Sequence, residues 1–219
     1  MSNNPKSEKY MMMQLYLSKL KHVWFELHQH YHFSEPDKSF NILIAAYSEK
    51  QRSYHTVQHL YECLSLFESV QSKLNDVHAV ALALWFHDVI YDPQAKDNEL
   101  RSAELFEQYM AQDLSVNIVH KVKRWILATQ KHVPTNELDL QFLLDIDLGI
   151  LAATPERFLQ YEQQIQQEYS WVDPDVYSIK RKEVLAHFYQ SEPLYQTEYF
   201  QQNFERRAKE NLRELLDGK

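Results

Sequence analysis

The chain has almost no glycine. Gly149 and Gly218 are the only two in 219 residues, which leaves few places where the backbone can turn through the left-handed region without a Cβ penalty. Helices joined by short connections are what such a composition favours. Cysteine is nearly absent as well: Cys63 stands alone, so no internal disulfide can form. No stretch approaches the roughly 20 apolar residues of a membrane span. The opening "MSNNPKSEKYMMMQLYL" also lacks the uninterrupted apolar run of a signal peptide, so no membrane partner and a cytoplasmic location are expected. An excess of basic residues is missing too. With a formal net charge of -8 the chain does not read as a binder of nucleic acid polymers, which reward clustered Lys and Arg through counterion release. Linker-like segments and internal repeats are absent, so a single domain over residues 1–219 is expected.

What is present is helical punctuation. In "AATPERFLQY" Thr154 reads as an N-cap, Pro155 as the first helical residue and Glu156 as a first-turn carboxylate, and "VDPDVY" repeats the pattern with Asp173 and Pro174. Helices are predicted near residues 7–31, 38–47, 54–71, 76–89, 97–111, 115–130, 137–151, 155–169, 174–190 and 197–216. Val77 to Phe86 is apolar on nearly every face, the mark of a helix buried in the interior. Alternation of period two is nowhere sustained. An all-α fold of about ten helices with no sheet is predicted.

Into this apolar background the sequence sets a few groups that are costly to bury. The run "ALALWFHDVIYDP" ends its apolar stretch on His87 and Asp88, side by side, and an unpaired buried polar group costs roughly 2 to 7 kcal/mol. Upstream, "RSYHTVQHLYECL" holds His55 and His59 four apart, one turn on a common helical face. Downstream, "FLLDIDLGIL" holds Asp145 and Asp147, two apart and therefore on different faces. A divalent cation would compensate His87 and Asp88 together, and one of the two later aspartates would complete a set of two His and two Asp. Such a set suits Mn, Fe, Co, Ni or Zn, and Mg less well.

The order His, His-Asp, Asp resembles the HD-domain metal-dependent phosphohydrolases, an all-helical fold named for its His-Asp doublet. The likeness is closest to a bacterial group of predicted HD phosphohydrolases, in which "YHTVQHL", "WFHDVIYDP", "DNELRSAEL", "LATQKH", "DIDLGIL" and "RAKENLREL" have counterparts, and it covers roughly residues 24–215. "YHTVQH" is further similar to the Tyr-His-x-x-x-His motif of cyclic-nucleotide phosphodiesterases. The resemblance implies that His59, His87, Asp88 and Asp147 bind the metal, favouring Asp147 over Asp145, and that His55 is the proton donor. The phosphodiesterases have Val-Asp-His-Pro after the doublet, where this chain has Val89, Ile90, Tyr91, Asp92 and Pro93. A single ion is therefore the simpler expectation.

The implied activity is hydrolysis of a small phosphate ester, a nucleotide or related phosphomonoester or diester, by metal-activated water, with His55 and Asp88 as the catalytic pair. Asp145 is expected to orient a ligand imidazole from behind. Asn98 and Glu99 are expected at the rim of the site, although Asp97 as an N-cap and Glu99 in a first turn also have an ordinary helical explanation. Thr129 and His132, near a helix end, are pocket candidates. Arg52, Lys131 and Arg181 are candidate phosphate grips. Cys63 sits among leucines and reads as a buried structural thiol. The His28, His30 and His32 cluster ends a helix, where imidazoles are ordinarily favourable. The aromatic-rich C-terminal third reads as core, or as the interface of a homodimer. Two rival functions share the same ligands: an HD-type non-haem iron oxygenase, and a metal-bound nucleotide-sensing module without turnover.

Overall fold

The computed structural model describes residues 5–218, so the readings that touch residues 1–4 and 219 lie outside the described residues. Among the described residues there are eleven α-helices, two short 3-10 turns and no strand. The all-α expectation is met. Residues cluster into two compact units, one running to Gln130 and one starting at Lys131.

The first unit contains α1 (Pro5–Tyr31), α2 (Pro36–Ala46), α3 (Val57–Val70), α4 (Val77–Phe86), α5 (Asn98–Met110) and α6 (Val116–Ala128). At its centre is α4, with every residue from Ala79 to Phe86 buried. It packs against α6, α3, α1 and α5. Burial of Val80, Leu82, Leu84, Trp85 and Phe86 contributes on the order of 10 kcal/mol, an upper figure because the unfolded chain already hides some of this surface. Asp76 starts the helix: its side chain accepts a hydrogen bond from the Ala79 N–H at 3.1 Å and pairs with Lys121 at 2.7 Å. Tyr47 steadies the other end by donating from its hydroxyl to the Trp85 carbonyl at 3.2 Å. Burial pushes that phenol up to about 12, so it remains a donor at neutral pH.

Helix ends differ from expectation at three places that matter for the site. α3 begins at Val57 because the Thr56 hydroxyl accepts from the Gln58 N–H at 3.3 Å, so His55 precedes the helix and does not share its face with His59. α4 ends at Phe86, with His87 as the capping residue and Asp88 beyond it. α6 ends at Ala128, which leaves Thr129 as its cap and His132 outside any helix with φ 49°. Asp97 makes no capping hydrogen bond.

The second unit contains α7 (Leu138–Asp147), a 3-10 turn (Leu148–Ala152), α8 (Pro155–Glu168), α9 (Pro174–Gln190), α10 (Glu198–Asn203) and α11 (Glu205–Leu216). Thr154 and Asp173 cap α8 and α9 with their side chains, as the Thr-Pro and Asp-Pro steps indicate. The helix predicted over 197–216 is two helices. The chain breaks at Phe204, whose ring stacks on Phe200 at 4.7 Å and also meets Tyr195 and Tyr199, so closing an aromatic cluster takes precedence over helix continuity. α11 packs on the 3-10 turn and on α9, and the Asn211 amide donates to the carbonyls of Leu151 and Ala153 at 2.9 and 3.0 Å.

Candidate metal centre

In the first unit the N-terminal end of α3 and the C-terminal end of α4 bring three side chains to one point. His59 Nε2 and His87 Nε2 are 3.1 Å apart, and Asp88 Oδ2 lies 3.3 Å from the first and 3.0 Å from the second. Both imidazoles are buried. The orientation of His87 is set from behind: its Nδ1 is 2.8 Å from the Leu84 carbonyl, a pure acceptor, so Nδ1 carries a proton there and Nε2 is turned inward. Nε2 faces a carboxylate oxygen and a second imidazole nitrogen. Donor atoms gathered this way could hold a metal ion.

The spacing fits a metal ion. With metal–donor bonds of about 2.1 Å, neighbouring donors stand about 3.0 Å apart in an octahedron and about 3.4 Å apart in a tetrahedron. The three observed separations, 3.0, 3.1 and 3.3 Å, fall in that interval. Burial alone pushes the Asp88 carboxyl up, but the charges of His87 and His55 and the hydrogen bonds from His59 and His87 outweigh it and hold the group well below the usual carboxylate range. Asp88 is therefore ionised and available as a donor.

Cys63 belongs to the same neighbourhood. Its thiol, one turn after His59, joins His59 and His87 in a group whose donor atoms lie within 4.8 Å of one another. Sγ is 3.7 Å from both nitrogens of the His59 ring. Cys63 is buried, and unlike the structural role expected of it, its sulfur stands among the groups that could hold an ion.

Arg52 is held in a different role from the phosphate grip expected of it. Its side chain is fully buried, and the guanidinium donates to the carbonyls of His55 (3.0 Å), Asp88 (2.7 Å) and Val89 (2.8 Å) and to Glu49 Oε2 (3.0 Å). Its Cζ lies over the rings of Tyr47 and Tyr91, 5.3 and 5.6 Å from their centres. The planar fork of an arginine suits this clamp, which ties the segment before α3 to the segment after α4. His55 is half-buried, its ring stacked on Tyr91 at 4.0 Å and 5.8 Å from the His59 ring.

The rim residues also take up places. Asn98 closes the loop after the doublet, accepting from the Asp92 N–H at 3.0 Å and donating to the Asp92 carbonyl at 2.9 Å. Glu99 accepts from the Gln130 amide at 3.1 Å. Thr129 is buried and its hydroxyl donates to the Ile126 carbonyl at 2.8 Å, a bond that closes the end of α6. A polar cavity of about 390 Å³ is lined by Glu49, Gln51, Ile90, Tyr91, Asp92 and the exposed Arg101.

In the second unit Asp147, the last residue of α7, has Oδ2 at 2.9 Å from His132 Nε2. Asp145 does not orient an imidazole. It accepts from the Gln196 N–H at 2.7 Å, the Thr197 N–H at 2.8 Å and the Thr197 hydroxyl at 2.7 Å, and so anchors the segment that leads into α10. Burial pushes its carboxyl up to about 6, the three donated hydrogen bonds notwithstanding. Arg181 is engaged by both carboxylate oxygens of Glu162 and lies over the Tyr161 ring, so it too is a structural cation. Lys131 is exposed.

No family model, curated protein or solved structure matches this chain.

Proposed function

We propose that the chain is a metal-dependent phosphohydrolase acting on a small phosphate ester such as a nucleotide. The observation that carries this reading is the convergence of His59 Nε2, His87 Nε2 and Asp88 Oδ2 at donor separations suited to one divalent ion. The motif order, which resembles HD-domain phosphohydrolases, supports phosphate chemistry over other uses of such a centre. What a divalent ion supplies when bound is polarisation of a phosphoryl oxygen and a water whose pKa falls from 15.7 towards about 7.

The chain's own residues do the rest. His59, His87 and Asp88 hold the ion. Arg52 fixes the spacing of the two backbone segments that carry them. His55, braced by Tyr91, is placed on the segment before α3 to give a proton to the leaving oxygen, a contribution typically worth about 10² to 10⁴ in rate. The walls of α4 keep water and its screening away from the ligands.

The reading is tested by assaying phosphate release from nucleoside monophosphates, cyclic nucleotides and simple phosphomonoesters with Mn²⁺-, Zn²⁺- or Mg²⁺-loaded protein. Turnover of at least one substrate is expected, with His55→Gln slower by about 10² or more while metal content is unchanged. Full metal loading without phosphate release across the panel would favour a nucleotide sensor and reject the hydrolase.

A further inference from the structure

Most of the first unit buries its large apolar side chains, but the first half of α1 does the opposite. Tyr10 is 65% exposed, Met11 69%, Met12 51%, Met13 37% and Leu15 59%. Tyr10 to Met13 are consecutive, so at 3.6 residues per turn they cover the whole circumference of the helix. The first buried side chain described on α1 is Leu20. From Pro5 to that point the helix advances roughly 20 Å at 1.5 Å per residue. Further along the helix, Tyr16 meets Tyr61 with ring centres 4.3 Å apart and Lys19 pairs with Glu68 at 2.6 Å.

A helix that is apolar all round is stable in a protein interior and not in water. A lipid surface is a poor cover for it, because a helix lying in a membrane interface needs an apolar face set against a charged one. The stretch "YMMMQLYL", Tyr10 to Leu17, carries no charge at all. It therefore offers nothing by which an anionic headgroup or a charged partner would be selected. Two copies, by contrast, meet without like-charge repulsion.

We infer that this arm is the contact through which two copies of the chain associate. Each arm packs antiparallel against the other across a twofold axis and lies along the partner's Tyr16–Tyr61 shoulder, so that protein surrounds it on more than one side. The area is adequate. The five side chains expose roughly 500 Å² per chain at about 200 Å² for each large side chain. Two copies then bury roughly 1,000 Å², the lower limit for a specific interface. Methionines suit such a seam because unbranched, polarisable side chains fill irregular gaps. The inference is independent of the metal centre.

Sedimentation of the full chain tests it. At about 100 µM the wild type is expected to run at twice the mass of the 26.3 kDa chain, and a double variant Met11→Asp, Leu15→Asp is expected to dissociate about 100-fold more readily with its helical circular dichroism unchanged. A Met12→Cys variant is expected to form a disulfide-linked dimer under mild oxidation, while the wild type, with Cys63 buried, does not. A wild type that is monomeric at that concentration, or a dimer indifferent to the double variant, overturns the proposal. So does a monomer that co-sediments with phosphatidylcholine–phosphatidylglycerol vesicles, which would assign the arm to a lipid surface.

Discussion

At the scale of single residues, the centre depends on where protons sit. The bond from His87 Nδ1 to the Leu84 carbonyl turns Nε2 toward Asp88, which sets a nitrogen beside a carboxylate oxygen as prospective metal donors. A second histidine pair shows the opposite balance. His78 stacks on His30 at 3.6 Å with the planes 9° apart. Burial, and then the charge of His30, depress its pKa below 6.5, against the raising influence of Asp76 and Glu26. Between the depressed value and 6.5 the unfolded chain binds more protons than the folded unit. Stability from this site is therefore complete above pH 6.5 and is lost as the pH falls through that window. The urea midpoint of the first unit, followed through the fluorescence of its buried Trp24, Trp85 and Trp125, is expected to drop between about pH 7.5 and pH 5.5. In His78→Gln the drop is expected to be smaller. An identical slope in the variant would show that the stacked pair contributes nothing.

At the scale of elements, the segments flanking α3 and α4 matter as much as the helices. Arg52 joins them through the carbonyls of His55, Asp88 and Val89. Arg52→Lys keeps the charge but loses the planar fork, and is expected to weaken metal binding about 10- to 100-fold, the usual effect of removing a group that orients ligands. Titration of metal-free protein with Mn²⁺ checks this, and undiminished affinity would mean that the clamp is incidental. Local chemistry made much of this level legible in the sequence: Thr154-Pro155 and Asp173-Pro174 mark helix starts because cap and first residue are adjacent, and the unbroken apolarity of Val77 to Phe86 marks the central helix. What escaped depended on partners distant in the chain. Thr56 takes the cap of α3 and so moves His55 off the helix, which the four-residue spacing of His55 and His59 conceals. The guanidinium of Arg52 is claimed by carbonyls up to 37 residues away, and no local pattern separates such an arginine from a surface one. An aspartate in this apolar helix suggests a partner for a ligand imidazole, but the acceptors of Asp145 are filled by Gln196 and Thr197, 51 and 52 positions on.

At the scale of the whole molecule, a chain with two glycines uses histidine where the backbone must enter the left-handed region. His32, with φ 58°, closes α1 by donating its N–H to the His28 carbonyl at 2.7 Å, and His132, with φ 49°, lies at the start of the second unit. No helix among the described residues is long and apolar enough to cross a membrane, and the apolar surplus at Tyr10 to Leu15 is assigned to a second copy. The central claim remains that His59, His87 and Asp88 form a metal-binding centre. It is tested most directly by equilibrium dialysis of metal-free protein against Mn²⁺ and Zn²⁺, followed by elemental analysis. The expected result is one tightly retained ion per chain, with affinity reduced by about 100-fold or more in Asp88→Asn and in His87→Ala and with the helical spectrum unchanged. An absence of stoichiometric ion in the wild type, or equal retention by both variants, would contradict it.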